Sequence, residues 1–259
     1  MDLQLTDKTA LVGGATAGIG RAVARTLAAE GVRVTLLARD GDKLRDAHGE
    51  LPGTGHHYIV ADFTEPATVA ERVRAHIELH GGFHILVNNT GGPPAGPAHL
   101  ASIDEFQRAY DMHLKCNHLL MQTCLPFMRA GGYGRIINII STSVKQPLDN
   151  LGVSNTTRGA VANWAKTLAN ELGPDGITVN NVLPGATATG RLAQIIEKKA
   201  EKSGSSVAEA EANMQLAVPA RRFAQPEETA AAVTFLASAR AGYINGINLP
   251  VDGGRTKSL

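Results

Sequence analysis

Short apolar runs alternate with longer charged, alanine-rich stretches along the whole chain, and this alternation predicts a repeated strand–helix order. Residues 9–12 form an apolar run that ends in glycines, and 21–30 read as an alanine-rich helix. A second apolar strand at 32–37 precedes a charged helix near 42–50. The pattern repeats with a strand at 58–61, a helix at 68–80 and a strand at 85–87 that runs into Asn88-Asn89-Thr90-Gly91. Over 103–128, Phe106, Tyr110, Leu114, Leu120, Cys124 and Met128 mark a broad apolar stripe, which predicts one long helix. Residues 135–140 read as a buried strand, 152–172 as a helix and 177–182 as a strand. Pro226-Glu227-Glu228 starts another helix, with Pro in its first turn and acids where the dipole favours them. A strand at 247–251 closes the pattern.

Strands that are apolar throughout, separated by helices, suit a parallel sheet covered on both faces. The expected fold is therefore α/β, a doubly wound, Rossmann-like parallel sheet. No linker, repeat or low-complexity segment divides residues 1–259, and a chain of 259 residues can bury a core on both sheet faces as a single domain. One segment breaks the rhythm. Residues 190–220 carry Glu197, Lys198, Lys199, Glu201 and Lys202, then Gly204-Ser205-Ser206. As charges these describe a solvated helix pair; by position the segment could cover the strand ends as a substrate lid.

Charge mainly excludes partners. The net charge is +1 with both signs mixed throughout, so neither nucleic acid nor an anionic membrane is expected. No run is long and apolar enough to span a bilayer. Met1-Asp2-Leu3-Gln4-Leu5 lacks the basic start and apolar run of a secretory signal, so a cytoplasmic location is expected. Cys116 and Cys124 fall eight residues apart on one helix, too far to bridge, and read as small core residues with a catalytic thiol as the alternative. His76, His80 and His84 recur at four-residue spacing, but no Cys or carboxylate pattern completes a ligand set, and no metal is expected.

Gly13-Gly14-Ala15-Thr16-Ala17-Gly18-Ile19-Gly20 joins the first strand to the first helix. Such a turn lets backbone approach a pyrophosphate at a helix N-terminus, where unpaired N–H groups and the dipole favour an anion. Gly14, Thr16, Gly18, Ile19 and Gly20 are thus candidate contacts to a dinucleotide. Asp62, with Phe63 beside it, ends the third strand and could accept from an adenine amine; Asn89 and Gly91 would close over the adenosine half. The second strand ends in Leu37-Ala38-Arg39. NAD(H) selection commonly uses a carboxylate there. Ala38 and Arg39 instead leave room and a cation for a 2′-phosphate, which favours NADP(H) over NAD(H). Asp40, one residue on, reverses that preference if the register slips.

On these motifs the chain resembles the short-chain dehydrogenase/reductase family over essentially its full length, nearest in pattern to the β-ketoacyl carrier-protein reductase-like branch. The family's Thr-Gly-x-x-x-Gly-x-Gly falls on Gly13, Gly14, Gly18 and Gly20, with Gly13 in the threonine's place. Its Asn-Asn-Ala-Gly falls on Asn88 to Gly91, and Val251-Asp252-Gly253-Gly254 matches its closing segment. Pro184-Gly185-Ala186-Thr187-Ala188-Thr189 matches the segment that grips the nicotinamide carboxamide, which implies contacts from Pro184, Gly185, Thr187 and Thr189. The resemblance also implies a homotetramer and a small-molecule carbonyl or alcohol substrate.

The catalytic end departs from that pattern. The family closes its fifth strand with a serine, places Tyr-x-x-x-Lys in the following helix and an asparagine in the long helix. Ser141 keeps the serine, with Ser143 as the fallback. Ser154-Asn155-Thr156-Thr157-Arg158 puts Ser154 at the tyrosine position and Arg158 at the lysine position, and His113 replaces the asparagine. None of the four tyrosines (Tyr58, Tyr110, Tyr133, Tyr243) fills the gap. A tyrosine has a pKa of about 10 that a neighbouring lysine lowers, whereas a serine hydroxyl is a far weaker acid. Arg158 stays charged and could hold the nicotinamide ribose hydroxyls. His113 is expected to titrate near neutrality, and could feed a proton through Ser154 or water. The plain alternatives are a packed His113 and a Ser154 that only caps its helix, while Asn117 could restore the lost amide. Lys145 and Asp149 either reach the site mouth or lie in a surface loop.

The expected activity is that of an NADP(H)-dependent oxidoreductase on a carbonyl or alcohol, with Ser141, Ser154, Arg158 and His113 as an altered catalytic set. Two other readings stay open. One is an NADP(H)-binding sensor or scaffold without turnover; the other is a lyase or retro-aldol enzyme using His113 as base. Gly91-Gly92-Pro93-Pro94-Ala95-Gly96-Pro97 suggests a stiff wall beside the pocket.

Overall fold

The apolar runs fold as seven parallel strands; the five inner ones are buried on both sheet faces, as their unbroken hydrophobicity requires, and the two edge strands are partly open. The computed structural model describes residues 1–258. In chain order the main elements are β1 (Thr9–Gly13), α1 (Gly18–Ala29), β2 (Arg33–Ala38), α2 (Gly41–Gly49), β3 (His57–Val60), α3 (Pro66–His80) and β4 (Ile85–Asn88). They continue with α4 (Ile103–Tyr110), α5 (Cys116–Ala130), β5 (Gly134–Ile139), α6 (Gly152–Leu172) and β6 (Ile177–Pro184). The last are α7 (Gly190–Ser203), α8 (Val207–Leu216), α9 (Pro226–Ala237) and β7 (Asn248–Val251). The strand order is β3-β2-β1-β4-β5-β6-β7. Winding outward in both directions from the β1–β4 pair gives the doubly wound sheet expected from the alternation.

Alternate strand residues supply two cores. Val12, Leu36, Ile85 and Ile137 pack with Val23 and Leu27 of α1 and Val233 and Leu236 of α9. On the other face Leu11, Leu37, Leu86 and Ile136 pack with Val73 of α3, Leu120 and Met128 of α5 and Leu168 of α6. Cys116 and Cys124 are free and buried in this second core, and burial pushes both thiols up to about 12. They are core residues, with no thiolate for catalysis.

One helical expectation changes and one is met. The single helix over 103–128 is interrupted: residues Asp111–Lys115 form a π turn between α4 and α5, and this turn carries His113. One-turn π segments of this kind re-aim side chains and cluster at functional sites. The charged segment after Gly190 divides into α7 and α8, with the Ser206–Glu209 capping box restarting the helix. A small apolar cluster of Leu192, Ile196, Ala200, Ala210 and Phe223 holds this pair together.

The sheet interior contains one polar row that composition did not reveal. Asn88 Nδ2 donates to Asn138 Oδ1 at 2.8 Å, Asn138 Nδ2 to Asn181 Oδ1 at 2.9 Å, and Asn181 Nδ2 to Asn248 Oδ1 at 2.8 Å. These residues are register partners across β4, β5, β6 and β7, so the amides form a ladder near the C-terminal strand ends.

The histidine spacing resolves differently from its sequence pattern. His76 and His80 meet His57 of β3, with ring centroids 4.2–5.3 Å apart. His84 turns away to bond Thr9. Among the described residues no group of three or more His, Cys, Asp or Glu is arranged to hold a metal, and no helix is long and apolar enough to cross a membrane.

Candidate active site

The winding reverses between β1 and β4, the point at which doubly wound sheets hold a ligand in a crevice beyond the C-terminal strand ends. The turn from Gly13 to Gly20 lies there. A Cβ on Gly20 would stand 2.2 Å from the Gly14 carbonyl oxygen, and Gly18, at φ +52, lies against Thr189. Both positions require glycine for the chain to turn this tightly. Asn89 fixes the turn by donating Nδ2 to the Gly13 carbonyl at 3.1 Å. Ala17, the N-cap of α1, supplies no side-chain bond, and the helix has no acid in its first turn. Its leading N–H groups are thus free for an anion. Thr16 and Ile19 are half-buried along this turn.

At the far end of the crevice Arg39 is exposed directly after β2. Asp40 is committed elsewhere: its carboxylate caps α2 through Lys43 N at 3.1 Å and pairs with Lys43 Nζ at 3.2 Å. Asp62 accepts from the backbone N–H and hydroxyl of Thr64, both at 2.9 Å, and these bonds with Arg39 hold its carboxyl below the usual range. Phe63 is 7% exposed and packs in the core beneath Gly13, so its ring is taken up by packing. Across the crevice Thr187 bonds the Gly185 carbonyl, and Thr189 caps α7 by accepting from Leu192 N at 3.3 Å. Pro184 and Gly185 lead from β6 into this segment, and the Gly185 N–H is held by the Val251 carbonyl of β7.

The four candidate catalytic positions, three of them altered from the family pattern, lie on the segment after β5, the first turns of α6 and the π turn. Ser141 follows β5 half-buried, and its Oγ accepts from Ser143 N at 3.1 Å. Ser143, the fallback, is buried with an unpartnered hydroxyl. Ser154 lies in the first turn of α6, one turn before Arg158 on the same helix face. It is not the helix cap, because Leu151 holds that position with no side-chain bond. Arg158 is 8% exposed; its Nη1 donates to the Ile139 carbonyl at 3.0 Å and its Nε has no partner. Burial, reinforced by the charge of Arg191, pushes Arg158 down to about 10, which still leaves it charged at neutral pH.

His113 requires the main correction. It is 2% exposed with Nε2 unpartnered, and burial together with Arg158 and Arg191 pushes it down to about 2. The ring is neutral throughout the working range and does not titrate near neutrality. It can position neighbours, but it is no reservoir of protons. Asn117, next on the expected face, is buried at the start of α5. Asp149 is exposed and Lys145 half-buried in the loop between the serines, which Asn155 pins to α6 by donating to the Leu148 carbonyl.

The wall suggested by the Gly-Pro segment is present and tied at both ends. Gly96 forms a bridge with Leu151, directly before α6, through bonds of 2.7 Å and 2.9 Å. At the other end Arg191, from the first turn of α7, donates to the Gly92 and Pro93 carbonyls at 3.2 Å and 3.0 Å. Arg191 escaped the sequence reading, because no local spacing signals a contact between residues 98 apart. Beneath α7 and α8 lies a cleft of about 380 Å³, lined by Thr189, Leu192, Ile196, Val207, Glu211 and Phe223. A mostly apolar cleft next to a polar crevice suits a small organic ligand beside a nucleotide.

A family model described as enoyl-(acyl carrier protein) reductase matches residues 14–256. Oxidoreductase UcpA of Escherichia coli strain K12 is 34% identical over 258 residues, spanning 98% of this chain and 96% of that protein. The NADPH-dependent reductase BacG of Bacillus subtilis strain 168 is 29% identical over 259 residues, spanning 98% and 100%. Among solved structures, L-sorbose reductase from Gluconobacter frateurii, complexed with NADPH and L-sorbose, matches with a TM-score of 0.94 at 32% identity over the whole of both chains.

Proposed function

This chain belongs to the short-chain dehydrogenase/reductase family, and on that premise we propose that it is an NADP(H)-dependent oxidoreductase interconverting a carbonyl compound and its alcohol. One observation carries the reading: the glycine turn leads into an uncapped α1, and the same edge of the sheet carries Ser141 after β5 and a buried, charged Arg158 bonded to the Ile139 carbonyl. The free N–H groups of α1 would hold the pyrophosphate, Asp62 and the Asn89–Gly91 turn the adenosine, and Pro184 to Thr189 the carboxamide. Preference for NADP(H) is supported by exposed Arg39 and by Asp40 being tied to α2. When bound, the cofactor would supply the hydride.

The chain's own residues then handle the charge that develops on the substrate oxygen. Ser141 donates to that oxygen, and Arg158 stabilises the growing negative charge in a largely dry site. The proton comes from water and is relayed by the Ser154 hydroxyl, one turn from Arg158. Neutral His113 buttresses Arg158. A lyase reading that uses His113 as base finds no support in a ring this hard to protonate. Residues 190–220 serve as the substrate lid, which the cleft beneath α7 and α8 and the Arg191 tether support. Exposed Leu100, Ile103 and Tyr110 around α4 support a subunit contact in a homotetramer, measurable by sedimentation.

NADPH oxidation against a carbonyl panel tests the activity. Steady turnover that Ser141→Ala lowers by roughly 10²-fold is expected, the size of a lost oxyanion donor. Tight NADPH binding with no turnover of any carbonyl would refute it and favour a nucleotide-binding sensor.

A further inference from the structure

We infer that the pocket is built for an anionic substrate: a carbonyl compound bearing a carboxylate or phosphate, seated between Arg191 and Arg158. The inference rests on the reductase reading and names the substrate class of that same site. Its starting point is an imbalance of charge. A buried guanidinium is costly unless an anion compensates it. Arg158 is more than nine-tenths buried, and a single neutral carbonyl, that of Ile139, is its hydrogen-bond partner. Among the described residues no carboxylate pairs with it. Its Nε is unpartnered, and so is the buried Nε2 of His113 next to it. His113, being neutral, offers no compensation.

Arg191 brings a second guanidinium to the same place. It leaves α7, reaches over Gly92 and bonds only the neutral carbonyls of Gly92 and Pro93. The adjoining Gly91 backbone lies against His113, and the charge of Arg191 is felt at both His113 and Arg158. Two cations therefore lie close enough to feel each other's charge, and the hydrogen bonds of each go to neutral carbonyls. The nucleotide's own anions have other seats. The pyrophosphate site is the uncapped start of α1, the 2′-phosphate site is Arg39 at the opposite end, and ribose hydroxyls reaching Arg158 are neutral. The missing negative charge is left to the substrate. A guanidinium fork holds a carboxylate or phosphate at two points, which would fix the reacting carbonyl against Ser141.

The test compares kcat/KM for 2-oxo and 3-oxo acids, their methyl esters and a keto phosphate, in wild type, Arg191→Gln and Lys198→Gln. Arg191 is exposed, so its replacement should fold, and Lys198 is an exposed control on the same helix. Wild type should favour the acid or the phosphate over the ester by about 10- to 100-fold, the scale of charge-assisted hydrogen bonds. Arg191→Gln should abolish that ratio, and Lys198→Gln should preserve it. The acid and phosphate arms identify which oxyanion fits. A second readout is calorimetric binding of the corresponding hydroxy acid to the NADPH complex, which Arg191→Gln should weaken by about 10- to 100-fold. Equal or better use of the ester by wild type overturns the inference. So does an Arg191→Gln protein that loses NADPH affinity while keeping its acid preference, because the arginine then serves the cofactor phosphates. Hydroxy-acid binding that needs Arg191, without turnover of any carbonyl, would sink the reductase reading and leave the anion site standing.

Discussion

Removing the central rung of the asparagine ladder, Asn138→Ala, should be among the most damaging single changes outside the aliphatic core. Asn138 is 0% exposed and engages both amide ends, accepting from Asn88 at 2.8 Å and donating to Asn181 at 2.9 Å. Truncation deletes two hydrogen bonds and strands two buried polar atoms, Asn88 Nδ2 and Asn181 Oδ1. Each stranded group costs about 1–3 kcal/mol, so the total is about 2–6 kcal/mol, a large part of the roughly 5–15 kcal/mol that holds a domain folded. Asn248 ends the ladder and makes one such bond, so Asn248→Ala strands a single group, Asn181 Nδ2, and should cost about 1–3 kcal/mol, half as much. Urea unfolding of both variants and of Asn138→Leu separates the causes. Leucine refills the volume but strands the same two groups, so it should remain within about 1 kcal/mol of the alanine variant. Recovery to wild-type stability with leucine, or equal costs at positions 138 and 248, would refute the ladder as a source of stability.

Further outcomes follow from the same geometry. His76 is pushed down to about 4 by burial and by His80 and His57, so the unfolded chain binds a proton between pH 6.5 and 4 that the folded chain refuses. Stability should therefore fall as pH drops through that window, by up to about 3 kcal/mol before solvent screening reduces it, and His76→Gln should flatten the slope in pH-dependent urea melts. An unchanged slope would show that the histidine cluster is indifferent to protonation. Gly20→Ala forces a Cβ against the Gly14 carbonyl and should weaken NADPH by roughly 5- to 150-fold in fluorescence titration, from about 1–3 kcal/mol of overpacking; wild-type affinity would mean that the turn is not the cradle. Ser154→Tyr combined with Arg158→Lys reinstates the family's acid pair and should raise kcat by roughly 10²-fold or more if a missing acid limits the rate. No gain would mean that the present residues already provide the proton.

The layers of the fold were legible because the strands are apolar on both faces and the helices between them are not. Periodicity placed every strand of the sheet, and the glycine turn marked the junction of β1 and α1 at its C-terminal edge. What periodicity hid were interruptions that keep the side-chain pattern nearly intact. The π turn at Asp111–Lys115 adds a residue to a helix whose apolar stripe continues on both sides, so the sequence reads as one helix. The asparagine ladder was hidden for a different reason. Asn88, Asn138, Asn181 and Asn248 are unremarkable singly, and only strand register makes them partners.

The catalytic positions show the same limit more sharply. Residue type at position 113 suggested a group that titrates near neutrality, because a histidine in water does. Its environment reverses that expectation: two guanidiniums and a dry pocket make the protonated ring the costly state. On the proposed reading, position 113 supplies no titrating acid or base, and Ser154 only passes on a proton drawn from water. What the proposed site offers in exchange is fixed positive charge, from Arg158 beside the Ile139 carbonyl and Arg191 beside Gly92 and Pro93. A site of that kind can still reduce a carbonyl, because a charged oxygen needs stabilising before it needs a proton. The inferred preference for an anionic substrate follows from the same balance, because such a substrate would bring the counter-charge that Arg158 lacks.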